Sequence, residues 1–83
     1  MGVPSIKAAE RTQEKINNIL QQVARVSGRA LHLHSQKESG PLAAQIARVH
    51  MPNANYSDRQ RLIEKLACFS VRQLQKYLNS LRT

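Results

Sequence analysis

Three observations predict an all-α fold, a compact bundle of about four helices. Apolar residues recur three and four positions apart in four separate segments, which is the period of a helix with one buried side. The tetrapeptides Ser57-Asp58-Arg59-Gln60 and Ser70-Val71-Arg72-Gln73 each have the form of a capping box, in which a serine oxygen accepts a helical N–H and a glutamine reaches back to the serine. Only one short stretch, Leu31-His32-Leu33-His34, alternates like a strand, and a strand without a partner cannot build a sheet.

The first helix is expected over residues about 5–27. Ala9, Ile16, Ile19, Leu20, Val23 and Val26 share one side of it, and Lys7, Arg11, Lys15, Asn18, Gln22 and Arg25 share the other. Ser27-Gly28 either ends this helix with a left-handed glycine or only weakens it, because Ala30 would continue the apolar stripe. Residues 28–38 read as helix or as an extended connection. The second helix is expected at about 41–51, opened by Ser39-Gly40-Pro41 and closed by Pro52, which pushes its predecessor out of helical geometry. Leu42, Ile46 and Val49 would form its inner face, with Ala43 and Ala47 permitting close approach.

Residues 52–56 form the clearest loop. A third helix, about 58–68, would turn Leu62, Ile63, Leu66 and Ala67 inward, and a fourth, about 71–81, would turn Val71, Leu74, Leu78 and Leu81 inward. The whole is one domain, residues 1–83, and a chain of this size buries only about 60–65% of its unfolded surface. The long apolar side of the first helix is therefore compatible with a homodimer as well as with an intramolecular core.

Charge narrows the function. Thirteen Lys and Arg against five Asp and Glu give +8, and no acidic residue follows Glu64. An excess of this size points to nucleic acid or to an acidic protein surface. On the last helix Arg72, Gln73, Lys76 and Asn79 lie opposite the leucines, where they would reach phosphates and base edges, with Arg82 extending the set. Ser70 and the N–H groups of the helix start would add a phosphate contact. Arg61 and Lys65, one turn apart on the preceding helix, would support the same surface, while Arg59 would stack on Tyr56 or cover the core. On the first helix Glu10 and Glu14 interrupt the row Lys7, Arg11, Lys15, which reads as a mixed, solvated face.

The C-terminal helix pair resembles a helix-turn-helix DNA-binding unit over residues 60–81, on the spacing of Ile63, Ala67, Phe69, Leu74 and Tyr77. It departs from that pattern at Glu64, where a small residue usually stands, and at Cys68, where a glycine usually turns the chain. The resemblance implies that residues 70–81 form a recognition helix presenting Val71, Arg72, Gln75 and Lys76 to DNA, which conflicts with placing Val71 in the core.

Other chemistries have little support. His32, His34, His50 and Cys68 match no paired zinc-ligand spacing, so neither metal nor cofactor is expected. No phosphate-cradling loop, catalytic triad or carboxylate pair is legible, so the expectation is a non-enzymatic protein. With one cysteine no internal disulfide can form, which fits a cytoplasmic setting. No apolar run reaches the length of a membrane span, and the amphipathic faces are the only material for a core, which argues against a membrane-surface peptide. The sequence thus reads as a small basic regulatory or accessory protein that binds nucleic acid, duplex DNA or structured RNA with duplex DNA favoured; the alternative is an adaptor or inhibitor, of the phage or mobile-element kind, that binds an acidic protein surface.

Overall fold

The computed structural model describes residues 6–82, with side chains from Glu10 onward; the expected start at residue 5 and the side chains of Lys7 and Ala9 lie outside the described residues. The described residues form four α-helices: α1 (Ile6–Ser27), α2 (Gly40–His50), α3 (Tyr56–Leu66) and α4 (Val71–Arg82). A 3-10 turn, Lys37–Ser39, leads into α2. Among the described residues there is no strand.

α1 is the spine. Ile16, Ile19 and Val23 are buried along one side of it, and Leu20 and Val26 pack against the same core. Gly28 ends the helix at φ +88°, with its N–H donating to the Ala24 carbonyl at 2.8 Å, so the left-handed cap is the correct alternative. The chain then runs without helix or strand over residues 28–36, bending at Arg29 and again at Leu33 and His34, and Leu31 and Leu33 stay exposed.

That connecting segment caps the C-terminal end of α3 and its corner. Ser35 Oγ donates to the Glu64 carbonyl (3.0 Å), the Gln36 N–H to Ala67 (2.9 Å), and the His32 N–H to Cys68 (3.1 Å). A helix leaves its last carbonyls without internal partners, and here a crossing segment supplies them. Ser39 continues the pattern: buried at the start of α2, it donates its hydroxyl not to its own helix but to the Phe69 carbonyl at 2.7 Å.

α2 and α3 form a helical hairpin closed by the loop of residues 51–55. Ala43, Ile46 and Ala47 pack inward from α2, and Leu62 and Leu66 from α3. Two expectations fail here. Val49 points outward, 57% exposed, and the inner face of α2 is instead Ala43, Ile46 and Ala47 with Leu42 at its edge. The start of α3 is set by Asn55, whose side chain accepts the Asp58 N–H at 2.8 Å, so Ser57 lies within the first turn and is not the cap.

α4 lies antiparallel on α1 and touches α2, burying Leu74, Tyr77 and Leu78. Val71 and Leu81 were expected in the core but stand 41% and 43% exposed, at the two ends of α4. α3 packs chiefly on α2 and α4 chiefly on α1, so the helices either side of the corner 67–70 touch each other only slightly.

Candidate nucleic-acid interface

The second capping box forms in full. The Gln73 N–H donates to Ser70 Oγ at 3.1 Å, and the Ser70 N–H donates to Gln73 Oε1 at 2.8 Å. Gln73 also reaches further. Its Nε2 shares two hydrogens among three carbonyls at the end of α1 and just beyond it, those of Arg29 (2.6 Å), Ser27 (3.0 Å) and Gly28 (3.3 Å).

This geometry corrects two site expectations. Gln73 is 8% exposed with both ends of its amide engaged, so it is a joint between α1 and α4 and not a solvent-facing contact. The Ser70 N–H is bonded within the cap and is not available to a phosphate. Sequence counting places glutamine outside because it is polar; only the tertiary approach of the α1 C-terminus makes burial of this amide favourable.

The remaining α4 residues do gather. Arg72, Lys76 and Asn79 are exposed, as are Val71, Gln75 and Arg82. At 100° per residue these six occupy one continuous stripe along the outer side of α4, opposite Leu74, Tyr77 and Leu78. The four positions that the helix-turn-helix resemblance assigns to DNA all lie on this stripe, and the exposure of Val71 removes the conflict over that residue. Gln75 Nε2 donates to Asn79 Oδ1 at 3.0 Å, which aligns the two amides one turn apart.

Arg61 and Lys65 lie elsewhere. They stand over the seam between α3 and α1 with Gln13, Ile16 and Glu64, and an Arg61 guanidinium nitrogen donates to Gln13 Oε1 at 3.1 Å. Arg59 is half-buried on the α2–α3 face, where it lines a pocket together with Tyr56.

Beneath α4 a polar chain that sequence reasoning did not find joins three helices. His50 Nε2 lies 2.7 Å from the Tyr77 hydroxyl, which donates to Gln22 Oε1 at 3.2 Å. The hydroxyl has one proton, so its bond to Gln22 requires His50 to carry hydrogen on Nε2 and donate to the Tyr77 oxygen. The two rings are stacked with centroids 5.8 Å apart. Burial, followed by the nearby Lys15 ammonium, holds the His50 imidazole below the usual histidine range. Burial likewise pushes the Tyr77 phenol up.

Among the described residues no three His, Cys, Asp or Glu side chains cluster as metal ligands, and no helix is long and apolar enough to cross a membrane. No protein-family model, curated protein or solved structure matches the chain.

Proposed function

We propose that this protein is a non-catalytic nucleic-acid-binding protein, of regulatory or accessory type, that holds duplex DNA through the outer stripe of α4. The observation that carries the reading is the exposure of Arg72, Lys76 and Arg82 on one side of a helix whose other side is locked into the core, in a stretch without any carboxylate after Glu64. Arg72 and Lys76 meet phosphates, which supplies sequence-independent affinity. Gln75 and Asn79, at the middle of the stripe, have the donor and acceptor pair that reads adenine in a major groove, and Val71 offers an apolar contact for a thymine methyl.

The test is a titration of a fluorescent random-sequence duplex at about 50 and 200 mM salt. Binding that weakens steeply between the two concentrations supports the reading. Absence of binding at the lower concentration removes it and leaves an acidic protein surface as the partner of the same stripe, a reading that the exposed Val71 favours because an apolar side chain gains little from phosphates.

A further inference from the structure

A second cationic site lies on the α2–α3 hairpin. Ala44 and Arg48 are one turn apart on α2; Tyr56, Arg59, Gln60 and Ile63 form one face of α3; together they line a pocket of about 160 Å³. Its lining combines two apolar residues, Ala44 and Ile63, with two arginines, Arg48 and Arg59, and with Tyr56 and Gln60. No carboxylate lines it. That separates it from the groove beside the α2–α3 loop, where Asp58 accompanies Arg11 and Lys15, and from the α1–α3 seam, where Glu64 accompanies Arg61 and Lys65.

The volume falls below the roughly 300 Å³ at which small-molecule sites begin, so the pocket is sized for a single side chain or terminus of a larger partner. Two arginines over an apolar wall suit a carboxylate carried next to an apolar body, since planar guanidinium groups bind carboxylates through paired hydrogen bonds. We infer that this pocket anchors an acidic, apolar peptide segment of a partner protein, with Arg48 and Arg59 gripping a carboxylate and Ala44 and Ile63 receiving the adjacent apolar side chain. The inference does not rest on the α4 stripe. It gives the chain two separate contact surfaces, one for a polyanion and one for a peptide.

The test is an amide chemical-shift titration of the isotope-labelled protein with a blocked peptide of alternating Glu and Leu, beside a control peptide of alternating Gln and Leu. Saturable shifts confined to residues 44–48 and 56–63, given by the acidic peptide and not by the neutral one, are expected. The double variant Arg48→Ala/Arg59→Ala should bind at least about tenfold more weakly, while Arg72→Ala/Lys76→Ala should bind as wild type does. Circular dichroism of the first variant should match wild type, because neither arginine is fully buried. The inference is overturned if the two peptides bind equally, if the shifts fall on α4 instead, if no saturable shift appears at millimolar peptide, or if random duplex DNA shifts the pocket amides and displaces the peptide.

Discussion

Gln73 Nε2 sits 2.6 Å from the carbonyl oxygen of Arg29, which ties the first turn of α4 to the chain leaving α1 across 44 positions of sequence. The same side chain closes the capping box on Ser70, so one amide ends one helix and begins another. Replacing Gln73 with Ala removes the half of the capping box that satisfies the Ser70 N–H and leaves the part-buried carbonyls of Ser27 and Arg29 without this donor. The expected cost is about 2–4 kcal/mol, read from urea unfolding. Gln73→Glu should cost no less, since its carboxylate would face those carbonyls without a proton to donate. A near-neutral Gln73→Ala would return this residue to the solvent-facing stripe.

The core of α4 can be separated from its rim by two substitutions. Leu74 is fully buried, and Leu74→Ala should destabilise by about 2–5 kcal/mol. Val71 is 41% exposed, and Val71→Ala should stay within about 0.5 kcal/mol. Comparable losses at both positions would place Val71 back in the core.

The helices were legible because each carries an apolar stripe at the 3.6-residue period, and the Ser70–Gln73 cap because both partners are local. What was not legible depends on distant chain. Val49 and Val71 read as inward from their residue type; Val71 stands at the open first turn of α4, whereas Val49 is turned about 110° round α2 from the line of Ala43, Ile46 and Ala47, and Met51 beyond it is buried. Asn55 and Asp58 carry as good a helix-start signal as Ser57 and Gln60, and two competing caps two residues apart cannot be ranked without knowing where the loop must close. The inward turn of Tyr77 fits the stripe of Leu74 and Leu78, but its partners Gln22 and His50 lie 55 and 27 positions away. Of the basic residues, those on α4 share a face by local spacing alone, whereas Arg61 and Lys65 are assigned by α1, which sequence periodicity on α3 does not reveal.

Gly28 offers a conformational test. At φ +88° an added Cβ would meet nothing closer than Gln73 Nε2 at 3.8 Å, so Gly28→Ala suffers no clash and its cost is that of the left-handed backbone, about 1–2 kcal/mol. A loss several times larger would mean that the Gln73 joint is displaced as well.

Stability should depend on pH through His50. Its folded-state pKa is depressed by burial and by Lys15, so on acidification through about 6.5 the unfolded chain takes up a proton that the folded chain declines. Stability is then lost as pH falls through that value and levels off below the folded-state pKa. His50→Gln, which keeps a side-chain amide for the Tyr77 oxygen, should show a smaller stability difference between pH 7.5 and 5.5 than wild type, with the exposed His32 and His34 common to both. In alkali the sign reverses: Tyr77 holds its proton in the folded state, so stability should fall as pH rises beyond about 10.

The most direct measurement of the proposed interface is the salt dependence of duplex affinity for wild type and for Arg72→Ala/Lys76→Ala, by fluorescence anisotropy between about 50 and 200 mM salt. If α4 holds phosphates, the double variant should bind every duplex more weakly and the slope of log affinity against log salt should become shallower by about 0.9 for each of the two lost contacts. Its unfolding curve should be unchanged, since both side chains are exposed. The Arg48→Ala/Arg59→Ala variant should keep the wild-type slope. Equal slopes for wild type and the Arg72/Lys76 variant would contradict the assignment of α4 as the nucleic-acid surface.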